Sequence, residues 1–144
     1  MSTGIIYWSG TGNTETMARA IDSGIKEKNV QTKLLKVSEA DAAITEQYEA
    51  LVFGCPSMGA EVLEESEFDP FFTAIESKLS GKLIALFGSY GWGDGEWMRN
   101  WQKRVKEAGA ILFEEGLIQQ DAPDEGACKE FGTRFAEFYS NHTK

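Results

Sequence analysis

Six consecutive residues near the start of the chain have the composition of an anion-binding turn: Ser9, Gly10, Thr11, Gly12, Asn13 and Thr14. Glycine lets the backbone turn tightly, and a helix that begins here supplies free N–H groups and the positive end of its dipole. The hydroxyl and amide side chains can donate further hydrogen bonds to phosphate oxygens. A capped turn without a ligand has a similar composition, so the turn indicates a phosphate site but does not establish one.

Two common nucleotide-binding motifs do not fit this turn. A P-loop requires the pattern G-x-x-x-x-G-K-[ST], and no lysine lies between residues 9 and 14. A dinucleotide-binding fingerprint requires a third glycine where this chain has Glu15. The sequence therefore predicts a phosphate that is bound by backbone dipoles and hydroxyls, without a cation near it.

Two later glycine-rich segments each carry a bulky apolar side chain. Met58 lies in the segment 55–62, and Trp92 lies in the segment 89–95. A planar aromatic ligand between the two side chains would be contacted through thioether and ring-stacking interactions. Either side chain alone would be ordinary surface hydrophobicity. Trp8, directly before the first turn, either contacts the same ligand or packs inside the protein.

Short apolar runs alternate with amphipathic segments along the whole chain. The apolar runs predict strands at residues 5–8, 32–37, 50–54, 82–88 and 110–113 with 117–118, the last with a weak middle. The amphipathic segments predict helices at 14–28, 97–108 and 128–139, with Trp97 and Trp101 in the core. This alternation implies a parallel sheet with helices on both faces. Ligands of such sheets bind beyond the carboxyl ends of the strands, where all three glycine-rich loops would lie.

The bulk composition excludes several classes of protein. The 144 residues include 23 acidic and 14 basic side chains, for a net charge of −9, which disfavours nucleic acid and anionic membrane surfaces as partners. No apolar run is long enough to span a bilayer, and the N-terminus lacks the features of a secretory signal. Cys55 and Cys128 indicate reduced thiols in a cytoplasmic protein. We expect one domain over residues 1–144.

Three motifs together resemble the short-chain flavodoxins of clostridia and related anaerobes. They are the residues 8–14, the segment Met58-Gly59-x-Glu61 and the residues 88–93, and the similarity extends nearly from end to end. The long insertion that marks the fifth strand of long-chain members is absent from the sequence. The resemblance implies a doubly wound, three-layer flavodoxin-like fold of the α/β class. Its five-stranded parallel sheet would have the order 2-1-3-4-5, with helices on both faces.

The resemblance also implies how the residues would hold non-covalently bound FMN. The turn 9–14 would hold the phosphate with help from Ser89, while Met58 and Trp92 would flank the isoalloxazine ring. Glu61 would accept a hydrogen bond from flavin N3, and the carbonyl of Gly59 would turn toward N5 on one-electron reduction. The complete set of expected cofactor-binding residues is Ser9, Gly10, Thr11, Gly12, Asn13, Thr14, Ser57, Met58, Gly59, Ala60, Glu61, Ser89, Tyr90, Gly91, Trp92 and Gly93.

Two residues depart from the pattern of several relatives. Ala60 replaces a polar residue beside Gly59, and we expect it to affect the peptide rotation and with it the stability of the semiquinone. Pro56 replaces a hydroxyl-bearing residue, which removes one contact to the phosphate.

The function implied by the resemblance is that of a low-potential one-electron carrier that alternates between the semiquinone and hydroquinone of FMN. Carboxylates in the segments 61–69 and 94–96 are expected to lower the potential and to steer basic-surfaced redox proteins toward the flavin. The partners implied by the family are pyruvate:ferredoxin oxidoreductase, a ferredoxin/flavodoxin reductase, hydrogenase and nitrogenase. The carrier itself is expected to be a monomer.

Two proteins of other classes share this fold. An FMN-dependent NAD(P)H:quinone oxidoreductase would need a nicotinamide site, additional sequence or a dimer interface, and 144 residues leave little for these. A regulatory module that has lost its cofactor would not bind FMN. His142 is the only histidine, and the sequence offers no nucleophile–base pair or metal-ligand spacing, so we predict no catalytic residue, no metal and no enzyme activity.

Overall fold

The elements of the fold alternate between strands and helices along the chain. The computed structural model describes residues 1–143. Its strands are β1 Ser2–Tyr7, β2 Gln31–Lys36, β3 Ala50–Gly54, β4 Leu83–Tyr90, β5 Ile111–Leu112 and β6 Leu117–Gln120. Its α-helices are α1 Asn13–Lys26, α2 Ile44–Gln47, α3 Phe68–Ile75, α4 Glu96–Glu107 and α5 Glu125–His142. Single 3₁₀ turns at Val37–Glu39 and Glu76–Lys78 follow β2 and α3.

The strands form one parallel sheet in the order β2-β1-β3-β4, with β5 and β6 both paired to β4. In the centre of the sheet, Ile5 of β1 lies opposite Leu34 of β2 and Val52 of β3. Every residue of β3 is buried, as expected for a strand that is covered on both faces. The predicted order 2-1-3-4-5 and the flavodoxin-like fold are confirmed.

The fifth position of the sheet is divided between two short strands. Ile84 pairs with Leu112, and pairing resumes where Phe87 meets Leu117. The four residues 113–116 therefore lie opposite only two residues of β4, 85 and 86. The two additional residues form a bulge. Gln102 fixes the end of this bulge, because its Oε1 accepts a hydrogen bond from Gly116 N at 2.6 Å. The interruption confirms the weak middle that the sequence predicts for this strand.

Two helical layers bury separate apolar clusters on the two faces of the sheet. Helices α1 and α5 cover one cluster, and α3 and α4 cover the other. Trp97 and Trp101 of α4 are 2% and 1% exposed, which confirms their predicted place in the core. Helix α3 was missed, because it is one short apolar segment with a buried face formed by Phe68, Phe72 and Ile75.

The three predicted helices are present with shifted ends. The predictions 14–28 and 97–108 correspond to α1 and α4 within two residues at either end. The prediction 128–139 is too short, because α5 begins at Glu125. Asp124 Oδ1 accepts a hydrogen bond from Ala127 N at 3.1 Å, and this cap allows the helix to start earlier than its apolar pattern indicates.

Helices α1 and α5 approach each other closely at two glycines. A Cβ atom on Gly132 would overlap the carbonyl oxygen of Ile21, and a Cβ atom on Gly24 would overlap that of Lys129. The two helices are thus in backbone contact at these positions. Any side chain larger than hydrogen would force them apart.

Both cysteines are buried thiols, and we expect neither to react in the folded protein. Burial raises the pKa of the Cys55 thiol well above its usual range and that of Cys128 to about 12. Because the thiolate is the reactive form, an aromatic disulfide reagent at about pH 8 should release almost no chromophore from the native protein. The same reagent should titrate both thiols once guanidinium has unfolded the chain. Rapid labelling of either native thiol would contradict this burial.

Candidate functional site

The loops that follow β1, β3 and β4 meet at one edge of the sheet. Trp8 N donates to Gly54 O at 3.0 Å, and Ser57 N donates to Ser89 O at 3.0 Å, so the strands stay in register up to the start of the loops. A cavity of about 290 Å³ lies between the loops. Nine of the residues predicted from the sequence line it: Gly10, Thr11, Asn13, Thr14, Ser57, Met58, Ser89, Tyr90 and Gly91.

The other seven predicted residues lie in the same three loops but outside the cavity lining. They are Ser9, Gly12, Gly59, Ala60, Glu61, Trp92 and Gly93. Trp92 is 64% exposed at the tip of the loop after β4, whereas Met58 is half-buried on the cavity wall. The structure thus places Met58 and Trp92 on neighbouring loops but not across one cavity. Their stacking on the two sides of a ring stays a prediction.

The loop 9–14 leads directly into the N-terminus of α1. Ser9 Oγ accepts hydrogen bonds from Gly12 N and Glu15 N, both at 3.2 Å. Gly12 has a φ of 102°, a left-handed conformation that glycine adopts readily. Thr16 Oγ1 donates back to Gly12 O at 3.0 Å and fixes the turn. The loop therefore adjoins the end of a helix whose free N–H groups and dipole favour an anion.

Thr14 and Ser89 join this loop to the end of β4. Their hydroxyl oxygens are 2.8 Å apart, and the residues are 1% and 6% exposed. Both residues also line the cavity. Each hydroxyl can donate one hydrogen bond and accept two, so the pair retains capacity for a ligand after satisfying itself.

Replacing Thr14 with valine should destabilise the protein by about 1–2 kcal/mol, because the buried Ser89 hydroxyl loses its partner. Urea denaturation of the variant measures this loss. Ser89→Ala should cost a similar amount, and the double variant should cost less than the sum of the two, since it leaves no orphaned hydroxyl. Strictly additive losses would show that the two hydroxyls do not depend on each other.

The loop after β3 contains a closed turn. Met58 N donates to Val62 O, and Val62 N donates to Met58 O, both at 2.9 Å. Between them, Gly59 and Glu61 have φ values of 50° and 55°. A Cβ atom on Gly59 would meet nothing within 4 Å in the described chain, so glycine is favoured here by conformation and not by crowding. Glu61 has no such freedom, so this conformation needs support from the hydrogen bonds of the turn and from a contact of its side chain.

Glu61 supplies that contact and links the two later loops. It is 7% exposed, and its Oε1 accepts a hydrogen bond from Asp94 N at 2.8 Å. Its Oε2 is also buried and has no hydrogen-bond partner among residues 1–143. Because a buried polar atom without a partner is costly, this oxygen fits an N–H donor on a ligand.

Several acidic side chains near the loops are engaged in hydrogen bonds and ion pairs within the protein. Burial disfavours the charge of Glu64, but hydrogen bonds from Ser66, Phe68 and Glu67 outweigh burial and lower its pKa. Two carboxylates form ion pairs at 2.9 Å, Asp69 with Arg104 and Asp94 with Arg99. The hydrogen bond and the positive charge of Arg99 lower the pKa of Asp94. The negative field at the cavity is therefore weaker than the acidic composition suggests.

Trp8 separates the cavity from a second one of about 310 Å³ on the other side of the loop 9–14. Its Nε1 donates to Glu67 Oε1 at 3.2 Å, and its ring lies against Gly10. Trp8 therefore packs within the protein and also lines the cavity, and its contact with a ligand stays a prediction. Lys36, at the end of β2, lines the second cavity. The expectation of no cation near the phosphate loop is corrected: none lies within the loop, but β2 places a lysine beside it.

Asp121 is a cavity residue that we did not predict. It follows β6, which runs parallel to β4 and therefore ends at the same edge of the sheet. Its N donates to Tyr90 O at 2.8 Å, and its φ is 57°. The predicted strand ended at residue 118. The polar run Gln119, Gln120 and Asp121 at a carboxyl end was the signal that would have identified it.

Two kinds of site are not found in residues 1–143. No group of three or more His, Cys, Asp or Glu side chains there is arranged to hold a metal ion. No helix in that part of the chain is long and apolar enough to cross a membrane.

The fold and the cavity together define a doubly wound α/β protein with a cavity at the carboxyl edge of its parallel sheet. The sequence profile of the flavodoxin family matches residues 5–132. The flavodoxin of Clostridium beijerinckii is 49% identical over 134 residues, which cover 92% of this chain and 97% of that one. The flavodoxin of Megasphaera elsdenii is 39% identical over 133 residues, which cover 92% and 97% of the two chains.

Structural similarity agrees with the sequence comparison. The solution structure of two-electron reduced Megasphaera elsdenii flavodoxin has a TM-score of 0.87 and 40% identity, covering 94% of this chain and 98% of that one. This chain belongs to the flavodoxin family. Its cofactor is FMN, and its function is electron transfer to and from redox proteins.

Proposed function

We propose that the cavity between the three loops is where FMN binds, with the phosphate at the loop 9–14 and the ring between the two later loops. The observation that carries this proposal is the Oε2 of Glu61, which has no partner among residues 1–143 and is buried just outside the cavity lining, in the turn that Met58 closes. Leaving such an oxygen unpaired costs about 1–3 kcal/mol. FMN offers both a phosphate anion and a ring N–H donor, so one ligand suits the helix terminus and the carboxylate.

The donor set of the first loop suits the phosphate. It combines the hydroxyls of Ser9, Thr11 and Thr14 with the amide of Asn13, and Ser89 adds a hydroxyl that already contacts Thr14 at 2.8 Å. These groups are neutral. They bind an anion through hydrogen bonds and through the adjacent dipole of α1.

The later loops suit a ring. Met58 and Tyr90 line the cavity with apolar and aromatic surface, and Trp92 adds an exposed ring on the neighbouring loop. Gly59, Ala60 and Gly93 complete the proposed set beside Glu61. Loops that offer polarizable and aromatic side chains beside a single buried acceptor favour a planar ligand with one N–H edge.

When bound, FMN supplies the ability to accept and donate electrons one at a time. The protein binds it, orients it and sets the energy of its reduced form through charge. The net charge of −9 disfavours additional negative charge in the site, although Arg99 and Arg104 offset part of that effect. We infer a low-potential one-electron carrier.

The acidic surface supports partners with basic surfaces, because complementary charge accelerates their encounter. The partner candidates are pyruvate:ferredoxin oxidoreductase, a ferredoxin/flavodoxin reductase, hydrogenase and nitrogenase. We propose that the protein meets them as a cytoplasmic monomer.

We further propose that the protein is a carrier and not an enzyme. The cavity is lined by glycine, hydroxyl-bearing, amide, aromatic, proline and methionine residues with one carboxylate, that of Asp121. His142 lies at the end of α5, where its ring is 4.4 Å from that of Phe138. Neither the cavity lining nor the surroundings of His142 bring a nucleophile together with a base.

The test is a titration of the FMN-free protein with FMN, followed by stepwise reduction of the complex. We expect stoichiometric quenching of FMN fluorescence and then two well-separated one-electron steps in a potentiometric titration. Absence of FMN binding would overturn the proposal. One concerted two-electron step, together with steady-state consumption of NADH or NADPH in the presence of a quinone, would support the oxidoreductase instead.

A further inference from the structure

Three atoms of Asp94 form hydrogen bonds to two residues, Glu61 in the loop after β3 and Arg99 in α4. Its N donates to Glu61 Oε1 at 2.8 Å. Its carbonyl oxygen accepts from Arg99 Nη1, and its Oδ1 accepts from Arg99 Nη2, both at 2.9 Å. The guanidinium of Arg99 thus fixes the residue whose N–H group orients Glu61.

The backbone on both sides of Asp94 is glycine. Gly93 and Gly95 have φ values of 91° and 94°, in the left-handed region. A Cβ atom on Gly93 would overlap Glu61 Oε1, so the chain passes in direct contact with the carboxylate. Because glycine has wide backbone freedom, a segment between two glycines needs an external restraint to hold one conformation.

Arg99 provides that restraint from a rigid element. It lies in the first part of α4, which is anchored in the core by the neighbouring side chains of Trp97 and Met98, each 2% exposed. Its planar fork contacts the carbonyl and the carboxylate of Asp94 at once, a geometry that lysine cannot reproduce. The position of α4 is therefore transmitted through Arg99 and Asp94 to Glu61.

We propose that Arg99 is a positioning residue for FMN binding. It holds Asp94 so that Glu61 Oε1 is occupied from within the protein, which leaves Oε2 as the oxygen without a partner and the acceptor for the ring. This inference rests on the proposed function, since it takes Glu61 to be the acceptor for the flavin. The side chains of Arg99 and Asp94 are 58% and 80% exposed, and an ion pair so exposed adds little to global stability. The contact between Arg99 and Asp94 therefore affects the geometry of the site more than the stability of the fold.

A purely structural role for Arg99 leads to a different expectation. An exposed ion pair at the start of a helix would change the unfolding midpoint slightly and leave the site unchanged. Positioning instead changes the mobility of the Asp94 amide and the affinity for FMN, with little effect on unfolding. Measurements of the mobility of the Asp94 amide and of the affinity for FMN therefore distinguish the two roles.

The test compares Arg99→Gln with the matched control Arg134→Gln. Arg134 is also an exposed arginine with a two-pronged contact, at 3.1 Å to both oxygens of Glu114, but it lies on α5 among residues that do not line the cavity. Both variants remove one positive charge. We expect Arg99→Gln to weaken FMN binding by roughly fivefold, the upper end of what an exposed ion pair contributes. The control should stay within about twofold.

A second readout does not need FMN. Hydrogen–deuterium exchange at the Asp94 amide of the FMN-free protein should be about fivefold faster in Arg99→Gln than in the wild type, because the amide is held less firmly against Glu61. Removing the cation should also shift the FMN potential to more negative values, since Arg99 offsets nearby carboxylates. Asp94→Asn retains the backbone contact and one acceptor oxygen, so its loss of affinity should be smaller than that of Arg99→Gln.

The outcomes separate this inference from the proposal on which it rests. If the wild type binds FMN but Arg99→Gln binds equally well, or if the control weakens binding as much, the positioning role is wrong. If the wild type does not bind FMN, the proposed function fails, and the exchange at Asp94 still tests the Arg99 contact. Arg99→Lys, which keeps the charge but not the fork, should give an intermediate affinity; wild-type affinity in that variant would reduce the role of Arg99 to charge alone.

Discussion

Replacing Gly132 with alanine is expected to destabilise the protein by about 2 kcal/mol, although alanine is the better helix former. The new methyl group would overlap the carbonyl oxygen of Ile21 and push α5 away from α1. Forcing an additional carbon into such a contact costs about 3 kcal/mol, and the gain in helix propensity returns only about 1 kcal/mol. Urea denaturation of the FMN-free protein, analysed with a constant slope, measures the difference.

The same helix provides the control. Gly126 lies in the first turn of α5, and a Cβ atom there would find only Asp124 Oδ1, at 3.4 Å. Gly126→Ala should therefore stabilise the protein by up to about 1 kcal/mol. Gly24→Ala, which approaches the same interface from α1, should behave like Gly132→Ala. Equal effects of Gly132→Ala and Gly126→Ala would show that the helices can separate without cost.

Replacing Glu61 with glutamine is expected to weaken FMN binding at least about fivefold, with a smaller effect on stability. One oxygen of Glu61 already accepts from Asp94 N, and the other is the unpartnered acceptor in the described chain. An amide carries one acceptor and one donor, so whichever way it turns, its NH₂ group faces a donor. A buried donor without an acceptor costs about 1–3 kcal/mol, which corresponds to a roughly fivefold to 150-fold change in affinity. Fluorescence titration with FMN measures it.

Glu65→Gln is the matched control for this experiment. Glu65 lies four residues further along the chain on an exposed position, and the substitution removes the same charge. Its FMN affinity should stay close to that of the wild type. If both variants weakened binding equally, the effect of Glu61 would be one of net charge and not of hydrogen-bond geometry.

The fold could be predicted from the sequence because its signals are local. The apolar runs at β3 and β4 and the glycine-rich turn before α1 can each be recognised from a few consecutive residues. Helix α3 was missed because its two turns are too short to show a helical period clearly. The start of α5 was missed because it depends on one capping side chain, Asp124.

The residues of the candidate site were predicted loop by loop, but the hydrogen bonds between its loops were not predicted. Motifs identify the residues of each loop, but the Thr14–Ser89 hydroxyl pair joins positions that are 75 residues apart. The bond from Asp94 to Glu61 spans 33 residues. Such contacts depend on how strands are ordered in the sheet, so no pattern within one segment reveals them. The same holds for the ion pairs of Arg99 and Arg104, which make the acidic surface less uniform than its composition implies.

The division of the fifth strand has a consequence for chain length. β5 and β6 are each fixed against β4 by their own hydrogen bonds, so the residues between them do not set the register of either piece. Lengthening a flexible connection costs only about 0.6 kcal/mol for each doubling. Phe113 is itself buried and donates to Ile84 O at 2.8 Å, so extra residues added after it, at 114–116, would leave the sheet at a place where it is already interrupted. One architecture can therefore be built from shorter or longer chains, and evolution can add a surface element there without rebuilding the site at the other edge.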